Sequence, residues 1–341
     1  MNTVRLGQSD LLVTPICLGT MTFGEQVNEA DSHAILSQSL ARGVNFIDTA
    51  EMYSVPAKAE TFGATETIIG NWFAKNPGAR QKLVVATKVA GPSRGMPWVR
   101  EGKGMTPADI VASCEASLRR LQTDVIDLYY LHRWDKNVPI EDSVGALADL
   151  VRAGKIRSLG LSEVSAVTLR KAHAVHPIAA VQTEYSLWTR NPEIAVLDAC
   201  RELGTAFVAF SPVARGFLCG DLRDVSTLDA KDIRRAMPRF APEAYAANLQ
   251  LLDGYLQVAR DVGCTPAQLA LAWLLHRGEH VIPIPGTTSV EHLHDDLGAV
   301  DVTLDAATMQ RLDGLINQHT VVGARYSAQS ASEVDTEAFA G

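Results

Sequence analysis

The sequence lacks the cysteine pattern of a disulfide-bonded or zinc-binding protein. It has five cysteines, an odd number, which are widely spaced and form no Cys-x-x-Cys pair. This pattern is typical of a reduced, cytosolic protein with small buried thiols, and it disfavours a disulfide framework or a zinc site. The cysteines are Cys17, Cys114, Cys200, Cys219 and Cys264.

Long apolar runs and an excess of positive charge are also missing. No run approaches the ~20 residues that cross a bilayer, and the N-terminal stretch MNTVRLGQSDLLVTP has no basic region followed by an apolar one, as a signal peptide would. The formal net charge is −8, with acidic and basic residues mixed along the chain. Nucleic acid and anionic membranes are therefore poor partners, and we expect a cytoplasmic protein.

The composition supports a large folded unit. Of the 341 residues, 47% are hydrophobic, which is ample for a core, and 21% are charged, which speaks against disorder. No internal repeat, low-complexity tract or linker divides the chain. We expect one domain over residues 1–341, with an irregular tail at about 319–341.

Eight short apolar runs alternate with amphipathic segments. The runs are bounded by turn residues and apolar on both faces, which is typical of buried parallel strands. Between them, Thr106-Pro107 and Thr265-Pro266 place Thr at a helix N-cap and Pro at the next position. Eight strand–helix units predict a closed (β/α)8 TIM barrel with additional loops and C-terminal helices. The runs are 16–20, 44–49, 83–88, 125–132, 156–162, 179–184, 206–212 and 281–286.

Four reactive side chains lie at or just beyond predicted strand ends: Asp48, Tyr53, Lys88 and His132. The carboxyl ends of barrel strands converge on one mouth, so these residues can meet. Carbonyl reduction needs an acid for the new alkoxide, and a lysine cation lowers the pKa of a tyrosine from its usual ~10. Asp48 would hold Lys88 charged, and His132 would orient the carbonyl oxygen.

The order of motifs resembles the aldo-keto reductase superfamily over nearly the whole chain. LGTMTFG, FIDTAEMY, GATETIIG, VVATK, DLYYLHRWD, RAGKIRSLGLSE, VQTEYSLWTR, FSPVARGFLCG and IPIPGTT follow one another. The resemblance implies that Asp48, Tyr53, Lys88 and His132 form a catalytic tetrad. Tyr53 would be the general acid in reduction and the base in oxidation. It also implies a nicotinamide cofactor bound without a Rossmann domain, and no GxGxxG follows a predicted strand.

The resemblance also assigns cofactor-binding positions near the nicotinamide. Gly19, Thr20, Met21 and Asp48 would line the nicotinamide end. Ser162 and Gln182 would clamp the carboxamide together with Glu163, which stands where most members have Asn and can only accept hydrogen bonds. Phe210 replaces the usual stacking Tyr and keeps the ring face.

Two Gly/Pro-containing turns after strands 7 and 8 are expected to hold the phosphates. Arg215 is the fixed cation in the first turn. Members that prefer NADP(H) have Lys or Arg in the second turn and on the helix after it, and this chain has neither at those positions. The resemblance to the family implies NADP(H), and the missing cations make NAD(H) the alternative. The assigned positions are Ser211, Pro212, Val213, Arg215, Gly216, Gly286, Thr287, Thr288, Ser289, His292, Asp295 and Asp296.

The substrate is expected to be a small carbonyl compound or its alcohol, in a pocket formed by Tyr53, His132, Trp98 and Trp134. No metal is expected, because residues two apart on a helix, such as His292 and His294, do not face each other. Two other functions stay open. One is a lyase that uses Lys88 as a Schiff base. The other is a nucleotide-binding regulatory subunit like the potassium-channel β subunits. The oligomeric state is unknown.

Overall fold

A computed structural model describes residues 1–339 of the chain; residues 340 and 341 of the predicted tail lie outside the described residues. Eight parallel strands, β3 to β10, pair in sequence order, as the alternating pattern predicts. Their bounds are β3 Leu18–Gly19, β4 Phe46–Asp48, β5 Val84–Val89, β6 Ile126–Leu131, β7 Ile156–Ser162, β8 Ala180–Glu184, β9 Ala206–Phe210 and β10 Val281–Ile284.

The first and last barrel strands meet and nearly close the barrel. The Cys17 and Gly19 N–H groups donate to the carbonyl oxygens of Pro283 and Pro285, at 3.0 and 2.9 Å. A Cβ on Gly19 would lie 3.0 Å from the Pro285 oxygen, a distance that side chains rarely tolerate. Glycine therefore permits the close approach that joins β3 to β10. The (β/α)8 TIM-barrel prediction is confirmed.

Helices follow the strands on the outside of the barrel. Thr106 and Thr265 cap their helices as predicted, each in a capping box with the residue three positions on. The helices are α1 Glu29–Ala41, α2 Ala64–Lys75, α3 Pro107–Leu121, α4 Ile140–Arg152, α5 Ala166–Val175, α6 Val196–Leu203, α7 Pro242–Val262, α8 Pro266–Leu275, α9 Val290–Leu297, α10 Ala306–Leu315 and α11 Ala328–Ser332. None of those within the described residues is long and apolar enough to cross a membrane.

An N-terminal hairpin was not anticipated from the sequence. Its strands, β1 Val4–Arg5 and β2 Leu12–Val13, are antiparallel. Leu6 and Leu11 are fully buried in the same cluster as side chains of the barrel interior, such as Phe46. The two-residue strands are too short to show an alternating pattern, which explains why the sequence did not reveal them.

Candidate active site

Three of the four predicted catalytic side chains stand at the ends of neighbouring strands. Asp48 is the last residue of β4, Lys88 precedes the last residue of β5, and His132 directly follows β6. Tyr53 lies in the loop after β4, where its N–H donates to the Ala50 oxygen at 3.1 Å. Because the strands are parallel and adjacent, all four residues lie at the same end of the barrel.

Lys88 is fully buried and held by two oxygens. Its ammonium donates to the Asp48 carboxylate and, at 2.8 Å, to the Thr49 carbonyl. The other Asp48 oxygen accepts from the Gln182 amide at 2.8 Å. Burial alone would lower the pKa of Lys88, but Asp48 and Tyr53 raise it above its ordinary value. Lys88 is therefore a fixed ammonium ion.

Tyr53 contacts both Lys88 and His132. The Lys88 nitrogen lies 5.0 Å from the Tyr53 ring centroid. The Tyr53 and His132 rings meet edge to face, with centroids 5.8 Å apart. Burial raises the pKa of Tyr53 above its ordinary value, and Lys88 only partly offsets this. Lys88 lowers the pKa of Tyr53, as the sequence predicts, but burial and the Asp48 carboxylate together raise it by more. Tyr53 therefore carries its proton at neutral pH.

His132 is held neutral by its surroundings. Burial, with the nearby Arg133 and Lys88 cations, lowers the pKa of His132 well below its usual range. Its Nδ1 atom is buried and has no hydrogen-bond partner among residues 1–339. A neutral imidazole offers one N–H donor and one acceptor, so it can hydrogen-bond a carbonyl oxygen without competing with Tyr53 as the acid.

The residues predicted around the nicotinamide are linked to Asp48 or to one another. Thr20 donates to the Asp48 carbonyl from its N–H at 3.0 Å and its hydroxyl at 2.8 Å. Gly19 is the register partner of Asp48, and Ser162 is that of Gln182. Met21 follows Thr20 in a turn and is partly exposed.

Glu163 and Phe210 both lie beside an arginine from the C-terminal tail. Glu163 is 2% exposed and has a left-handed backbone, with φ 57°. Its Oε1 accepts from Arg325 at 2.6 Å and from the Glu184 N–H at 3.1 Å. The Arg325 guanidinium lies 5.9 Å from the Phe210 ring centroid. No sequence pattern linked Arg325 to this site.

The loop after β9 has an unusual backbone. Ser211, Ala214, Arg215 and Gly216 have φ between 51° and 90°. The N–H groups of Ala214 and Gly216 donate to the Ser211 and Val213 carbonyl oxygens of the same loop, at 2.9 and 3.1 Å. Several left-handed residues in so short a loop are typical of a functional site. Pro212 and Val213 lie within the same loop.

Arg215, which the sequence suggested for a phosphate, also has a partner within the protein. Its guanidinium bonds the Glu184 carboxylate at 3.1 Å. Burial raises the pKa of Glu184, but Arg215 and Arg325 lower it overall to about 2. Another cation, Arg234, donates to the Arg215 carbonyl at 3.0 Å and so lies against the predicted phosphate loop. Its contribution could not be read from sequence, since it comes from an irregular segment.

The second predicted phosphate turn leads into α9. Gly286 pairs with Gly19, and the buried Thr287 accepts at its carbonyl from the Thr22 hydroxyl at 2.7 Å. Ser289 caps the helix by accepting from the His292 N–H at 3.1 Å. Thr288 and His292 are exposed.

The two aspartates of α9 are engaged elsewhere. Asp295 accepts from the Thr265 hydroxyl at 3.0 Å and the Gln268 amide at 3.1 Å, at the start of α8. Asp296 is buried against the core, and burial, with Asp295 beside it, raises its pKa to about 7. That these two residues bind the cofactor stays a prediction.

The two predicted pocket tryptophans are partly exposed. Trp98 meets Phe62 edge to face at 5.7 Å, and Trp134 donates to the Val138 carbonyl at 2.8 Å. Trp188, by contrast, stacks on Phe217 in the core. A cleft of about 260 Å³ is lined by Pro92, Arg94, Trp134, Asp135, Lys136, Asn137, Ser332 and Glu333.

A buried ion pair behind Tyr53 was also missed. Glu51 accepts from the Ala90 N–H at 2.7 Å and from Arg100 at 2.9 Å. Arg100 belongs to the long loop after β5 and also donates to the Gly91 carbonyl at 2.8 Å. This pair ties that loop to the segment that carries Tyr53. Glu51 lies inside the motif FIDTAEMY, but no sequence pattern indicates that Arg100 is its partner.

A barrel with ionisable side chains gathered at the carboxyl ends of its strands is the arrangement of an α/β-barrel enzyme. The sequence model of the Aldo/keto reductase family matches residues 15–317. A curated relative from Glycine max, "Probable aldo-keto reductase 1", is 38% identical over 328 residues, 95% of this chain and 91% of its own. The chain belongs to the aldo/keto reductase family and is an oxidoreductase.

A solved structure supports the same fold. It is a thermostable aldo-keto reductase crystallised with the inhibitor epalrestat, and it is 28% identical with a TM-score of 0.72. The match covers 92% of this chain and 100% of that one.

Proposed function

We propose that the protein transfers a hydride between a nicotinamide cofactor, NADP(H) before NAD(H), and an aldehyde, a ketone or the corresponding alcohol. The observation that carries this proposal is the contact of Tyr53 with the buried Lys88–Asp48 pair on one side and His132 on the other. The substrate is a small molecule. The protein acts as a single domain in the cytoplasm.

Each member of the tetrad has a role that fits its environment. Tyr53 keeps its proton at neutral pH and supplies it to the carbonyl oxygen in reduction. The Lys88 ammonium stabilises the tyrosinate that remains, because opposite charges attract strongly in a buried site. Asp48 keeps Lys88 oriented. His132 donates a hydrogen bond to the same oxygen and places it beside Tyr53.

The residues at the mouth fit a dinucleotide cofactor, which when bound supplies or accepts the hydride. Gly19, Thr20, Ser162 and Gln182 would surround the nicotinamide end, and the loop 211–216 would lie beside the phosphates. The cap of α9 at Ser289 gives a helix N-terminus for a further anion.

The exposed Thr288 and His292 offer a 2′-phosphate no permanent cation, so discrimination between NADP(H) and NAD(H) should be modest. Hydrogen bonds from Thr265 and Gln268 hold the Asp295 carboxylate at the start of α8, which should weaken its repulsion of a 2′-phosphate. Arg234 lies beside the first phosphate loop, but its guanidinium is paired with Asp232 at 2.7 Å.

The Schiff-base alternative is disfavoured by the state of Lys88. A nucleophilic lysine needs a neutral amine, and enzymes obtain one by lowering the pKa. Here the pKa of Lys88 is raised, and the ammonium is fully buried between two oxygens.

The test is a steady-state screen of aldehydes, ketones and sugars with NADPH and NADH side by side. We expect cofactor oxidation with several aldehydes and quenching of protein fluorescence by the cofactor. Covalent trapping of a substrate by borohydride would support the lyase instead. Cofactor binding without turnover of any carbonyl compound would support a regulatory subunit.

A further inference from the structure

The C-terminal tail lies against the ends of β7 and β8 and the start of α5. The Asp335 N–H donates to the Glu163 carbonyl at 2.9 Å. The Asp335 carboxylate accepts from the Ser165 hydroxyl at 2.9 Å and the Thr168 hydroxyl at 2.6 Å, at the start of α5. Glu337 accepts from the Ala166 N–H at 2.7 Å. These contacts anchor the tail beside the predicted carboxamide clamp.

Arg325 joins two buried carboxylates at neighbouring strand ends. It donates to Glu163 at 2.6 Å and to Glu184 at 3.0 Å, and its side chain is only 9% exposed. The guanidinium also lies 4.4 Å from the Tyr326 ring centroid. Glu184 has a second partner in Arg215, whereas Arg325 is the one cation paired with Glu163 among the described residues. Arg325 is therefore what keeps the Glu163 carboxylate compensated in the interior.

The second oxygen of Glu163 differs from the first in its surroundings. Oε2 is buried and accepts no hydrogen bond from residues 1–339, while Oε1 already accepts two. Leaving a buried charged acceptor unsatisfied is costly, and such an atom calls for a donor. Arg325 thus fixes one oxygen and leaves the other for a ligand that carries an N–H.

We propose that Arg325 is a positioning residue for the nicotinamide end of the cofactor site, holding Glu163 so that its free oxygen accepts a hydrogen bond from the carboxamide NH₂. This inference rests on the proposed function. The planar guanidinium sets the orientation of the carboxylate as well as its charge. Without Arg325, Glu163 loses the donor that fixes its Oε1 atom, and its free oxygen is no longer held in one orientation.

The test compares the binding of NADP⁺ with that of its 3-acetylpyridine analogue, which keeps the carbonyl but lacks the NH₂ group. Fluorescence quenching gives both Kd values without turnover. We expect the wild type to favour NADP⁺ by about tenfold or more, the effect of one hydrogen bond to a charged group. Arg325→Met should reduce that preference to about the level of Glu163→Ala, and Arg325→Lys should restore it only in part.

Asp335→Ala is the matched control, because it loosens the tail at its other anchor and leaves the Arg325–Glu163 contact. Limited proteolysis of the tail should rise in both Asp335→Ala and Arg325→Met, but only Arg325→Met should lose the preference for NADP⁺. An equal loss in Asp335→Ala, or an unchanged ratio in Arg325→Met, would overturn the positioning role and leave the proposed function intact. Failure of the wild type to bind either dinucleotide would contradict the proposed function itself.

Discussion

Asp296 is a buried charge whose removal should stabilise the protein. It lies in the last turn of α9, beside a small cavity lined by apolar side chains such as Leu18, Val44 and Leu293. Burial and the adjacent Asp295 raise its pKa from 3.8 to about 7. A carboxylate near the C-terminus of a helix is also opposed by the helix dipole.

The size and sign of the effect follow from this pKa. The folded state keeps a proton that the unfolded state releases above pH ~4, so the stability of the wild type falls between pH ~4 and ~7 and is level above that. A pKa difference of about three corresponds to at most ~4 kcal/mol. Asp296→Asn removes the charge at nearly constant shape. We expect the free energy of unfolding to rise by ~2–4 kcal/mol at pH 8, and by clearly less at pH 5.

Urea denaturation at pH 5 and pH 8 measures this difference. Asp295→Asn is the comparison: it removes the smaller of the two causes that raise the pKa of Asp296 but also disturbs the hydrogen bonds from Thr265 and Gln268, so its gain in stability at pH 8 should be smaller than that of Asp296→Asn. If Asp296→Asn gains no more stability at pH 8 than at pH 5, the buried aspartate is not ionised against its surroundings and the reasoning is wrong.

Three further predictions concern the ionic groups of the mouth. Lys88→Met should lower kcat by at least ~10²-fold and raise the apparent pKa in its pH profile, because the tyrosinate loses its cation; Lys88→Arg should not restore the wild-type rate. Glu184→Gln should lower the free energy of unfolding at pH 7 by ~3 kcal/mol. Because the folded pKa of Glu184 is about 2, the wild type should lose this contribution as the pH falls from ~4.5 towards ~2, and thermal unfolding of the variant should show no such loss. Thr288→Arg should shift the kcat/KM ratio towards NADPH by about tenfold or more, since it adds a charged hydrogen bond; an unchanged ratio would show that the 2′-phosphate does not lie beside position 288.

The pattern of apolar runs in the sequence predicted most of the fold and the positions of the catalytic residues at the strand ends. Asp48, Lys88 and His132 could be placed together because each ends or follows a buried run, and parallel barrel strands end at one mouth. Thr106 and Thr265 were recognisable as caps because capping is a local interaction. Each of these residues could be placed because its position depends only on residues close to it in the sequence or on the adjacent strand.

Contacts between distant segments could not be predicted in this way. Arg325 is 162 residues from Glu163, and nothing in its neighbourhood marks it as a partner. The sequence likewise marked Arg215 as a candidate for a phosphate but gave no sign of its contact with Glu184. The pKa of Tyr53 also depends on burial by the whole mouth, which no motif expresses.

The most direct test of the central claim is the rate of Tyr53→Phe. The substitution keeps the ring and removes the proposed proton donor, so kcat for aldehyde reduction should fall by at least ~10²-fold. The Kd for NADPH, measured by fluorescence quenching, should stay within about twofold, since Tyr53 is proposed to act on the substrate oxygen. A variant that binds the cofactor normally and keeps a near wild-type kcat would contradict the assignment of Tyr53 as the general acid.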